Sequence, residues 1–491
     1  MKTLISLRIL NSNICRILSA TCLSVLCLIA LSTQAATSTV TNTNDSGAGS
    51  LRQALADVVD GDTINFDSAL NGQTITLTSG ELLVNKSISI NGPGADNLTV
   101  DGNHASRVFH ASRWVTATIS GLTIANGDAG VDHGGGGIQN DHATLLVDNC
   151  TVSGNHAAWG GGVHNDGSNS SASLTVTNST ISGNSAGSAG GIFNDGGDGG
   201  ATLTISNGTV SGNSAAFYGG GIFNEGHFGS ATVMLTNSTF SGNSAGLAGN
   251  SIGNDANPGN ATLVIGNTIL NAGASGEHIY NNGGTFTSLG YNLSNDNAGG
   301  FLTSPGDQIN TDPMLGPLQD NGGSTFTHDL LSGSPAIDAG EPNFTPPPDY
   351  DQRGSGYVRV AHGRVDIGAF EVQIVTPNYS GQVQPPINLD GSSNFNFRRG
   401  VVPVRFNLTV GGVATCDLPP ATIAVTRTAG GVIGPVNESD YSGNADTGSN
   451  FRISGCQYVY NLNARALGVG TYRIDILING QVVGNATFGL N

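Results

Sequence analysis

Residues 202–226 read TLTISNGTVSGNSAAFYGGGIFNEG, and the same pattern returns in blocks beginning at Thr144, Ser173, Thr232 and Thr262. Its corner asparagine recurs at Asn149, Asn178, Asn207, Asn237 and Asn267, in steps of 29, 29, 30 and 30 residues. A fixed period of that size signals a stacked array. Within a block the apolar residues fall in short alternating pieces, so each block reads as strand, corner, strand. Three pieces per block (TLTIS, TVSG, GGGIF) predict an all-β fold, a three-sided right-handed parallel β-helix over residues 74–310. The glycine content and the lack of any 3.6-residue period exclude helical repeats.

Aligning the blocks gives four apolar columns: Leu145/Leu174/Leu203/Val233/Leu263, Val147/Val176/Ile205/Leu235/Ile265, Val152/Ile181/Val210/Phe240/Leu270 and Val163/Ile192/Ile222/Ile252/Ile279. They are expected to point inward on turns about 4.8 Å apart. The Asn149 series forms a fifth column whose amides can bond one another from turn to turn. Each turn is expected to contact only its neighbours.

The chain has 491 residues, 74 of them glycine, with 6% aromatic and 11% charged residues and a formal net charge of −18. Low charge beside 37% hydrophobic content marks an ordered array, not a disordered tail. The negative balance argues against nucleic acid or an anionic membrane as partner. Residues 1–35 read as a secretory signal: Lys2, Arg8 and Arg16, an apolar run from Ile17 to Leu31, and Thr33-Gln34-Ala35 at the cleavage site. The expected location is therefore secreted or at the cell surface, with no spanning segment after the signal. Cys150 is expected to be a buried filler. Cys416 and Cys456 fall together in the last module and are expected to form a disulfide, in keeping with export.

Residues 36–73 read as an N-terminal cap. A strand is expected at Thr39–Thr43, followed by a short amphipathic helix from Ser50 to Val59, with Ser50 as N-cap and Leu51, Leu55 and Val58 on one face. A helix laid across the open end of a coil protects its exposed core and strand edges. The opening VTNTNDSGAGSLRQALADVVDGDTINF resembles the start of bacterial secreted parallel β-helix repeat proteins. FSGN (240–243) and GGGIFN (219–224 as YGGGIFN less its tyrosine) resemble the repeats of polymorphic outer membrane proteins, although no autotransporter barrel follows. Over 311–371, Asp312-Pro313-Met314-Leu315-Gly316, Ser334-Pro335-Ala336-Ile337-Asp338-Ala339-Gly340, Asp351-Gln352-Arg353-Gly354 and Asp366-Ile367-Gly368-Ala369-Phe370-Glu371 resemble the choice-of-anchor Q domain. That resemblance implies a surface or secreted protein, and this region is expected to close the C-terminal end of the coil. After a linker at 372–384, residues 385–491 show short alternating strands such as Val401–Leu408 and Thr471–Leu477, the pattern of an Ig-like β-sandwich. Pro403-Val404-Arg405-Phe406, Gln457-Tyr458-Val459-Tyr460 and Gly470-Thr471-Tyr472-Arg473 resemble the PxKF-type domain, with Arg405 in place of the motif lysine.

Three groups of residues are candidates for function. Asp166, Asp195, Glu225 and Asp255, with Asp141 before them, follow the GGGIxN position and form an acidic column. It reads either as a row able to hold Ca2+ or as a solvated corner edge. Trp159 and Tyr218 stand just before glycine runs on alternate turns, about 9.6 Å apart. They read either as a strip for a neutral polysaccharide or as rings covering strand edges. Asp338, Arg353 and Asp366 are expected to form a buried polar network. His133, His142, His156, His164, His227 and His278 lack a fixed pairing and read as loop histidines. Between Arg113 and Arg353 there is no Lys or Arg, which argues strongly against a uronate lyase on the coil. The function expected is that of a non-catalytic structural or adhesin-like surface protein that binds glycan. The alternative is a polysaccharide hydrolase of the pectin-lyase-like fold, since stacked acids can approach the carboxyl spacing of such enzymes.

Overall fold

The computed structural model describes residues 35–271, 276–373, 379–436, 446, 448–478 and 480–491. The expected signal segment, save its last residue, and part of the expected linker lie outside these. The chain divides between 374 and 375 into two compact units.

The first unit is a parallel β-solenoid of about 8 turns. Among the described residues its strands form three long sheets of ten, nine and eight strands and a short one of four. Alternation along each strand sends every second side chain inward, as in Ser171–Thr177, where Ala172, Leu174 and Val176 are buried. The four apolar columns are found in register: Leu145 pairs with Leu174, Val152 with Ile181, and Val163 with Ile192, and so on along the coil. All their members belong to one continuous buried core. Cys150 lies wholly inside, where burial pushes its thiol up to about 12.

The corner asparagines take the left-handed conformation, with φ of 48–53°, which asparagine tolerates better than other non-glycine residues. Their side chains do not form the expected continuous ladder. Asn267 bonds Asn237 at 2.8 Å, but Asn178 turns to Asp148 and Asn149 accepts from Ser324. Two other series build ladders instead. Asn140, Asn165, Asn194, Asn224, Asn254 and Asn281 donate each to the next at 2.6–2.7 Å. Asn155, Asn184, Asn213 and Asn243 do the same at 2.9 Å. Their amides also satisfy main-chain carbonyls inside the coil, so the glycine-rich corners bury polar backbone without leaving it unpaired.

The cap helix spans Leu51–Asp57, with the Ser50 hydroxyl accepting from the Gln53 N–H at 3.2 Å. Leu51, Leu55 and Val58 are buried, while the first strand is Thr37–Val40, earlier than expected. At the other end, Phe286, Phe301 and Leu302 cover the last turn. Residues 311–371, expected there, instead run back along the flank of the nine-stranded sheet. Gln352 bonds Thr209 and Thr180, Phe326 accepts from Thr180, and Thr239 accepts from the Ala369 N–H. The hydroxyls of that flank need partners once covered, and the strap supplies them.

The second unit is a β-sandwich of two five-stranded sheets, containing strands Val401–Val410 and Gly470–Ile478. Phe406 stacks on Tyr458 at 4.3 Å within its core. Cys416 and Cys456 are joined in a disulfide.

Candidate functional site

The site is built by the strands that follow each glycine run: Val163–Asp166, Ile192–Asp195, Ile222–Glu225 and Ile252–Asp255. In each, the first and third residues point inward as core and ladder, so the second and fourth share the outer face. Register then stacks Asp141, Asp166, Asp195, Glu225 and Asp255 on consecutive turns. Asp166, Asp195, Glu225 and Asp255 line a groove of about 540 Å³ whose walls include Trp159 and Tyr218. Two features that the sequence presents separately, an acidic column and an aromatic pair, therefore share one cleft.

The carboxyls of that row are not equivalent. Burial alone would raise Asp195, but the facing His164 and the N–H of Gly197 hold it below the usual carboxylate range. Glu225 is pushed up to about 7, by burial first and then by the charges of Asp195 and Asp255 on either side. Like charges one turn apart repel, and Glu225 relieves the repulsion by holding its proton.

Trp159 is 43% exposed. It also borders a second groove of about 300 Å³, together with Val131 and Phe217, so it is the wall common to both. Phe217, 52% exposed, was not singled out by the sequence reading, which stopped at its neighbour Tyr218. Tyr218 differs from Trp159: its ring stacks on Phe223 at 5.7 Å and on Tyr280 at 5.4 Å. Phe223 in turn stacks on Phe193, and Phe193 on His164. The stack covers the flank while leaving one side of the cleft aromatic.

The histidines are not all loop residues, because His156 and His164 lie in strands; His142, His164 and His278 are buried. His164 occupies the outer position two before Asp166, and the imidazole lies against Gly134, where a Cβ would collide with it. Two sets of donor atoms lie within 4.8 Å of one another: Asp141, His142 and Asp166, and His164, Asp166 and Asp195. The signal for the second was the VHND run at 163–166, a histidine and an acid two apart on one strand and so on one face.

The polar network of the strap has other partners than expected. Arg353 pairs with Asp351 at 2.6 Å, not with Asp338 or Asp366, because the tight turn Asp351–Gly354 brings those two side chains together. Asp366 accepts from the N–H groups of Asp338 and Val372. Arg359, wholly buried, donates to the carbonyls of Asp366 and Gly368. The cluster is thus structural, remote from the acidic groove. Compared with protein-family models, with curated proteins and with solved structures, the chain gives no significant match.

Proposed function

We propose that this chain is an exported surface protein whose solenoid binds a polysaccharide along the groove between Trp159 and Asp255. The observation that carries this reading is the exposed face of Trp159 set between two grooves, one apolar and one acidic. An amphipathic ring suits a ligand with apolar faces and polar edges, and the carboxylates and Ser168 supply acceptors and a hydroxyl for sugar hydroxyls. The lack of Lys and Arg between Arg113 and Arg353 favours a neutral polymer over an acidic one. Export rests on the signal pattern at 1–35 and is in keeping with a disulfide, which persists in oxidising compartments. The motifs in 311–371 that resemble choice-of-anchor Q domains are in keeping with a place at the cell surface.

One observation favours a second reading, hydrolysis. Glu225, raised to about 7, stands one turn from an ionised Asp195, the pairing of a proton donor and a carboxylate that glycoside cleavage uses. Retention on a panel of neutral polysaccharides, with release of reducing ends measured in parallel, separates the two. Retention without product supports the binding module. Product release that Glu225→Gln abolishes would replace it with the enzyme, and neither retention nor release overturns both.

A further inference from the structure

We infer that His164, Asp166 and Asp195 form a binding site for a divalent transition-metal ion, with Zn2+ the expected occupant. The site lies in the same groove but does not rest on the glycan reading, since it is argued from the protein's own donor atoms.

His164 and Asp166 are two apart on one strand and so share a face, and Asp195 is the register partner of Asp166 on the next turn. The three donor atoms lie within 4.8 Å of one another. Zinc ligands about 2.1 Å from the ion in a tetrahedral arrangement sit roughly 3.4 Å apart. His164 Nε2 and Asp195 Oδ2 are 3.5 Å apart.

The independent sign of a ligand is His164 Nε2 itself. The residue is 7% exposed and this nitrogen has no hydrogen-bond partner. Its orientation is fixed by Gln139. The Gln139 amide donates its Nε2 to Asp166 Oδ2 at 3.3 Å, which turns its Oε1 toward His164 Nδ1 at 3.1 Å. An oxygen can only accept, so Nδ1 carries a proton, and Nε2, which faces the carboxylates, is the nitrogen left to take either a proton or a metal ion. Phe193, stacked on the imidazole at 5.2 Å, holds its plane. One glutamine thus orients two of the three ligands, the role outer hydrogen-bond partners play around bound metals. Asp166 Oδ1 and Asp195 Oδ1 are tied to the Ser168 and Gly197 N–H groups, which fixes each carboxylate and leaves its other oxygen toward the cluster.

The neighbouring set fails the same test. His142 Nε2 is bonded to the Ser168 carbonyl at 2.6 Å and Nδ1 is engaged by Asp141, so no lone pair is left. An imidazole nitrogen with two carboxylates suits Zn2+ or a neighbouring first-row ion better than Ca2+, which prefers six or more oxygens. Three protein donors leave a fourth position open to the groove, for water or a ligand hydroxyl.

The rival is a simple ion pair between a protonated His164 and Asp195. The untagged full-length chain, stripped with EDTA and dialysed, is titrated calorimetrically with Zn2+ and with Ca2+, alongside His164→Gln and His142→Gln. The expected result is one equivalent of Zn2+, at least tenfold tighter than Ca2+, weakened at least tenfold by His164→Gln and unchanged by His142→Gln. Zinc should raise the melting temperature of the wild type and not that of His164→Gln. No stoichiometric zinc, or equal zinc binding by His164→Gln, overturns the site. A fall in the melting temperature of metal-free His164→Gln without zinc binding by the wild type selects the ion pair. Should His164→Gln not fold, Asp195→Asn takes its place. Co2+ absorption of the wild type then serves as an additional reading, and no low-coordinate nitrogen–oxygen spectrum counts against the proposal.

Discussion

Replacing Asn194 by leucine tests the ladder that the coil buries. Asn194 is fully buried, accepts from Asn165 and donates to Asn224, both at 2.7 Å, and also reaches the Thr232 carbonyl at 3.2 Å. Leucine keeps the bulk and removes every one of these bonds. The two side-chain bonds contribute about 0.5–1.5 kcal/mol each, and the orphaned Asn224 Oδ1 adds a desolvation penalty of about 1–3 kcal/mol. The expected loss is therefore about 2–6 kcal/mol. Asn178→Gly, at a corner with φ of 51°, is the comparison: glycine adopts that conformation freely, and losing the part-buried bond to Asp148 should cost only about 1 kcal/mol. Equilibrium urea unfolding measures both, and amide exchange in the strands Val163–Asp166 and Ile222–Glu225 localises the effect to the flanking turns. A loss below about 1 kcal/mol for Asn194→Leu would refute the ladder as a source of stability.

Ile205→Asp places a lone carboxylate in a wholly buried column and should destabilise by about 4 kcal/mol or more, read as a collapse of the melting temperature. Glu371 is raised to about 8 by burial and then by Asp366. Its folded value lies above its ordinary 4.5, so the stability it contributes is full below that value and lost as pH climbs through 8. Its contribution to the melting temperature should fall from about pH 5 to 8 and level off above, and Glu371→Gln should flatten that fall; an unchanged slope contradicts the assignment. Reducing Cys416–Cys456, which closes a loop of 40 residues, should lower the stability of the second unit by about 4 kcal/mol, with unaltered urea unfolding as the contrary result.

The coil was legible because two periods reinforce each other, the two-residue alternation of a strand and the 29–30-residue repeat, and together they fix which side chains enter the core. The ladders were not, because an asparagine beside glycines looks like any solvated corner until the register shows it inside. The strap was hidden for another reason. Gln352 meets Thr180 across 172 residues, and no local pattern marks such a pairing. It also limits the idea that turns contact only their neighbours, since deleting the block Ser173–Ala201 would shorten the coil while the strap kept its length. At the site, the acid row could be read from spacing alone. That Trp159 borders it could not, because the corner angle decides where a ring points. His164 was read as a loop histidine because the histidines share no fixed spacing, and only the register sets it beside Asp195.

The measurement closest to the central claim is retention of wild type, Trp159→Ala and Phe217→Ala on whichever neutral polysaccharide the wild type retains, with melting temperatures taken in parallel. Both rings are exposed, at 43% and 52%, so their removal should leave stability nearly unchanged. Tyr218→Ala, which breaks a ring stack, is expected to lower it. The account predicts that Trp159→Ala loses retention while melting as the wild type does. Full retention by Trp159→Ala at an unchanged melting temperature would contradict it.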